Sequence, residues 1–183
     1  GTFNNLDIKG LNVSYNKTSL KAKANLKNLL DADKMFFDLS FYDSYLDPTD
    51  PNLLLREIEI PEYKELGVVK FDTLNYKGGT LDFETNFAIN TDKGYLNGNA
   101  FIDLRPKEMI YRATLYTRNL DMGSFISIPT DINSEIKISG VGFEPTQMKL
   151  DLLMNANSSR FGEKYFNNLN VSTIAENGII KTT

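Results

Sequence analysis

The chain contains no histidine and no cysteine among its 183 residues. Their absence removes the imidazole base, the thiolate nucleophile and the usual zinc and copper ligands, so any enzyme here would have to work through carboxylates, hydroxyls or lysine. It also removes the disulfide scaffold as a source of stability. No run of about 18 apolar residues is present, which leaves no segment that could cross a bilayer as a helix. The first residues lack the charged-then-apolar form of a signal peptide, and the chain starts at Gly1 without methionine, so we read it as a fragment of something longer. There is no basic tract either. Twenty Lys and Arg stand against 24 Asp and Glu, a net charge of −4, which argues against nucleic acid as a partner.

What is present is period-2 alternation, the mark of half-buried strands. In "KMFFDLSFY" the residues Met35, Phe37, Leu39 and Phe41 share one side, opposite Asp38 and Ser40. "LDFETNFAI" repeats the pattern, with Leu81, Phe83, Phe87 and Ile89 opposite Asp82, Glu84 and Asn86. Leu20 to Leu26, Leu96 to Leu104, Tyr111 to Leu115, Ile136 with Ile138, and Met148 to Met154 read the same way. "TDKG" and "ENG" suit hairpin turns. Across Gly10 the apolar parity moves from Leu6 and Ile8 to Leu11, Val13 and Tyr15, which predicts a bulge. We therefore expect an all-β antiparallel meander. Two short helices interrupt it: one over Pro51 to Glu57, with Thr49 or Asp50 as N-cap, and one over Asp121 to Ile126.

A weak repeat is visible. Leu20 matches Leu96 and Leu39 matches Leu115, both at a spacing of 76 residues (96 − 20 and 115 − 39), while Asp47 matches Asp121 at 74 (121 − 47). This suggests units over 1–76 and 77–143 and the start of a third over 144–183.

Several residues invite a chemical reading. Asp31 with Asp33, or Asp47 with Asp50 and Asn52, offer clustered oxygens of the kind calcium takes; turn and cap chemistry explains the same residues, and we expect no metal site. Glu57 with Glu59, and Asp82 with Glu84, are paired carboxylates of the glycosidase type. They fall on the polar side of their strands, where nothing tunes a pKa, so we expect no enzyme. "SGVGFEP", with Gly140 and Gly142, lacks the lysine and following helix of a phosphate loop and reads as a strand end. "RFGEKYF" sets Arg160 and Lys164 among three aromatics that could meet headgroups or sugar, although alternating aromatics usually just pack.

The order of "YRATLYTRNLDMGSFI", "INSEIKISGVGFEP" and "RFGEKYFNNLNVSTIAENGII" resembles the TamB branch of the AsmA-like proteins, in its Bacteroidota-type members. The resemblance implies an elongated curled sheet with an open, taco-like groove whose apolar side carries lipid acyl chains between inner and outer membranes. The parent chain would be periplasmic, anchored in the inner membrane, and would meet an outer-membrane barrel protein through its other parts. No cofactor is implied. On that reading Phe37, Leu39, Phe83, Phe87, Leu96, Ile102, Leu104, Tyr111, Leu115, Leu150 and Leu152 line the groove. The alternative is a structural or adhesive β-sandwich module of a cell-surface protein, in which the same residues close over a dry core.

Overall fold

The computed structural model describes residues 3–50, 63–144 and 146–183. The expected helix at Pro51 to Glu57 lies outside them. The described residues build one antiparallel sheet: β1 (Asn5–Tyr15), β2 (Thr18–Lys27), β3 (Phe36–Leu46), β4 (Val69–Gly78), β5 (Asp82–Thr91), β6 (Gly94–Asp103), β7 (Ile110–Leu120), β8 (Thr130–Val141), β9 (Lys149–Ala156), β10 (Ser159–Phe161), β11 (Lys164–Phe166), β12 (Leu169–Glu176) and β13 (Ile179–Thr182). Eleven of them pair in the order β1-β2-β3-β4-β5-β6-β7-β8-β9-β12-β13. The short β10 and β11 form a side hairpin, with β10 also pairing the start of β8.

Local sequence explains the connections. Asn177 and Gly178 take φ of 52° and 75°, the two left-handed positions of a primed turn between β12 and β13. The register of β1 against β2 shifts between Ile8 and Leu11, so the bulge expected at Gly10 is formed. A helical turn occupies Gly123–Ile126 within the expected segment, and a 3₁₀ turn lies at Lys64–Leu66.

The sheet is all-β and antiparallel, as the alternation implies, but it is open and uncurled rather than taco-like. Nor does a second sheet close over it among the described residues. Among the described residues the buried apolar ones are Ala22, Val69, Ala156 and Ala175, and the largest fully buried side chains are Asp50 and Ser44. No large apolar side chain is fully enclosed among the described residues. The total exposed area of 12005 Å² exceeds the roughly 8,900 Å² that a compact protein of this mass would show. A single layer explains that excess.

Candidate functional site

Directly opposed residues of an antiparallel pair share a face, so register alone assigns every side chain. One row runs Leu26, Phe37, Gly78, Phe83, Ile102, Tyr111, Gly140, Leu150, Ala175 and Ile180. The next holds Ala24, Leu39, Tyr76, Thr85, Ala100, Ala113, Ile138, Leu152 and Thr173. Ala22, Phe41, Leu74, Phe87, Gly98, Leu115, Ile136, Met154 and Val171 form the third. Phe71, Ile89, Leu96, Thr117, Ser134, Ala156 and Leu169 form the fourth. None of the four rows contains a charged residue.

Ten of the eleven residues expected to line a groove stand in these rows. Leu104 lies just beyond β6, with its N–H donating to the carbonyl of Leu81 and 43% of its surface exposed. The third row crosses nine strands, roughly 38 Å at ordinary strand spacing, and the four rows are roughly 20 Å deep. An uncharged surface of that extent is larger than most monomers leave uncovered. Most of its residues are half-buried because they shield one another.

The middle of the face is set by small residues. Thr85, Gly98, Ala100 and Ala113 sit together on β5 to β7, with Phe83, Ile102 and Tyr111 on one side and Phe87, Leu96 and Leu115 on the other. At one border Tyr76 stacks on Phe83 with ring centroids 4.7 Å apart, and Tyr111 stacks on Phe143 at 4.7 Å. Tyr111 can lie flat because Gly140 is opposite it: a Cβ there would come within 2.4 Å of the tyrosine oxygen. Burial pushes the hydroxyl pKa of Tyr76 and Tyr111 up, which keeps both neutral.

The opposite face carries the charges. A depression of about 420 Å³ there is lined by Glu84, Asn99, Phe101, Arg112, Lys137 and Asp151 among others. None of the eleven expected residues lines it. The curl expected of the sheet is not formed, and the apolar residues make a broad open face. The reason is the lack of curl, without which alternating side chains make a surface and not walls.

Period-2 reading missed β4. Phe71 shares a face with Leu74 and Tyr76 only because the register shifts between Phe71 and Thr73, and that bulge breaks the parity. Asp82 and Glu84, the described carboxylate pair, lie on the charged face, where Arg105 reaches Asp82 at 3.2 Å and Asp103 at 2.7 Å. The guanidinium beside Asp103 holds its carboxyl down at about 2. Glu57, Glu59 and Asn52 lie outside the described residues.

Among the described residues no three metal-ligating side chains converge. Asp31 pairs with Lys34 at 2.8 Å. Asp50 is buried and accepts hydrogen bonds from Thr18 and Asn16, which lower its pKa. Gly142, at φ 70°, ends β8 as a strand end would. Arg160 stands opposite Asp131 in the strand register of β10 and β8, while Tyr165 stands 77% exposed on β11.

Features spaced like the leucines recur at one end of the sheet. Asp43 and Asn119 (119 − 43 = 76) both take positive φ inside a strand, at 44° and 51°. Lys17 pairs with Asp47 at 3.8 Å, and Lys93 with Asp121 at 3.3 Å. Each aspartate also accepts the N–H two residues on, from Thr49 or Gly123. Leu39 and Leu115 stand on the same face.

Compared with protein-family models, with curated proteins and with solved structures, the chain matches none. No helix among the described residues is long and apolar enough to cross a membrane.

Proposed function

We propose that this chain is part of a periplasmic lipid-transfer bridge of the TamB-like kind, anchored in the inner membrane through its parent protein, and that its uncharged face shields acyl chains on their way to the outer membrane. The observation that carries the reading is the uncharged face, whose four rows run in register together across seven strands, β4 to β9 and β12, and which no second layer covers among the described residues. Motif order supports it. A barrel partner would be met elsewhere in the parent chain.

The mechanism is passive. Each methylene removed from water contributes about 0.8 kcal/mol, so a chain of a dozen methylenes laid on the face offsets most of the cost of leaving a bilayer. A uniform surface has no deep well, which permits sliding. No side chain on it donates or accepts a proton near neutral pH, so the reading asks for no catalysis. A β-sandwich module is less well supported, since it needs a second sheet to bury these residues.

The test is to place a carboxylate on the face. Ile102→Asp and Leu115→Asp leave the charge in reach of water, so the fold should persist by circular dichroism while binding of a fluorescent fatty acid and photo-crosslinking to lipid fall. Unaltered lipid binding in both folded variants would refute the proposed face. Absence of lipid binding by the unsubstituted protein would refute the function.

A further inference from the structure

The depression on the charged face holds a set of polar groups that the uncharged face does not use. It lies over β5 to β9, strands that are each paired along both edges, so its floor is complete within the sheet. Its middle is a block of four residues. Arg112 stands opposite Ser139, and Thr114 opposite Lys137, across β7 and β8. The two cations therefore share one diagonal, roughly 7–8 Å apart at the backbone, and the two hydroxyls share the other.

Phe101, opposite Arg112 on β6, lies with its ring centroid 4.3 Å from the guanidinium. A guanidinium laid on a ring keeps its N–H groups available for a bidentate acceptor. Arg112 has no carboxylate partner among the described residues. Lys137 already reaches Glu135 at 2.9 Å, so Arg112 is the open contact for an anion.

The flanks limit what that anion can belong to. Glu84 and Asp151 stand in the same row as Arg112, two strands away on either side, roughly 10 Å at ordinary strand spacing. A ligand with negative charge along its length would be repelled by both. Hydroxyl groups would not be, since they donate to carboxylates and accept from amides such as that of Asn99. Leu153, 50% exposed, adds an apolar wall for C–H groups. The volume of about 420 Å³ falls among those of small-ligand sites.

The geometry points to a binding site for a short saccharide bearing one carboxylate, with the acid on Arg112 and ring hydroxyls on Thr114, Ser139 and the flanking carboxylates. The site goes beyond the lipid reading and does not depend on it.

Cellobiouronate and cellobiose share a skeleton and differ by one carboxylate, which makes them the probes. In calorimetric titration of the chain, cellobiouronate should bind saturably and cellobiose about tenfold more weakly, the loss expected for one charge-assisted bidentate contact. Acetate at equal concentration should not compete. Arg112→Gln, checked for folding by circular dichroism, should lose a similar factor. Arg118→Gln should bind as the parent does, because Arg118 is laid on Tyr95 at 4.7 Å in the same way but stands outside the depression. Thr114→Val removes a floor hydroxyl at nearly constant size and should weaken binding several-fold, which keeps the test open if Arg112→Gln does not fold. The proposal is overturned by the absence of saturable cellobiouronate binding, by cellobiose binding as tightly, by a folded Arg112→Gln or Thr114→Val that binds like the parent, or by an equal loss in Arg118→Gln. Competition by acetate at equal concentration would also overturn it, since the site would then read an anion and no sugar.

Discussion

Both faces of the sheet contain aromatic rings, yet they treat them differently. On the charged face Arg112 lies 4.3 Å from the centroid of Phe101, Arg118 4.7 Å from Tyr95, Lys23 5.7 Å from Tyr42 and Lys27 5.9 Å from Phe36. Each of these rings is roofed by a cation, which keeps water over it. On the uncharged face the rings meet one another: Phe37 with Tyr76 edge-on at 6.3 Å, Tyr76 with Phe83, and Tyr111 with Phe143. An aromatic residue is therefore no guide to a dry surface. The residue opposite it on the next strand decides.

The comparison breaks most visibly if a charge crosses from one face to the other. Ile102→Asp should weaken capture of a fluorescent fatty acid by about tenfold or more, the equivalent of the ~1–3 kcal/mol by which an unpaired polar group resists apolar contact. Asn99→Asp, on the face behind, should leave it unchanged. Equal loss from both would show that the two faces are not distinct in function.

Next in size is Gly140→Ala. The added methyl would sit 2.4 Å from the Tyr111 oxygen and 2.6 Å from the Lys149 carbonyl oxygen, so ring and backbone must both give. We expect a loss of ~1–3 kcal/mol in urea unfolding. A neutral result would show that Tyr111 does not lie over Gly140.

Arg105→Gln sharpens the other side of the comparison, since it leaves Asp82 and Asp103, directly opposed across β5 and β6, without their shared cation. The folded pKa of Asp103 lies below its ordinary 3.8, at about 2. Its stabilising effect is therefore complete above the ordinary value and is lost as pH falls toward about 2. The variant should melt lower than the parent at neutral pH, and the gap should close over that acid window. A gap that persists below it would assign the effect to packing of the arginine stem.

The smallest effect is expected from Arg112→Gln, which uncovers Phe101 and should cost about 0.5–1 kcal/mol with no change in lipid capture.

How far the sequence could be read depends on the range of the interaction. "KMFFDLSFY" and "LDFETNFAI" announced their strands because alternation is local, and ten of the eleven expected residues fall into the rows as a result. β4 stayed hidden because its bulge shifts the parity between Phe71 and Leu74, and the left-handed Asp43 and Asn119 gave no cue beyond a residue type that tolerates that conformation.

By itself, then, the sequence determined the all-β class, the hairpins that do not involve β4 and the separation of charged from uncharged side chains, since each follows from neighbours a few positions away. Tertiary structure alone decided that no second layer closes over the uncharged face among the described residues, that the sheet stays open, that the depression of about 420 Å³ lies on the charged face, and that the rings on the charged side are capped. Those outcomes depend on which residues stand opposite one another across strands distant in the chain. Period-2 spacing is the same whether the side it defines meets a second sheet, water or a lipid.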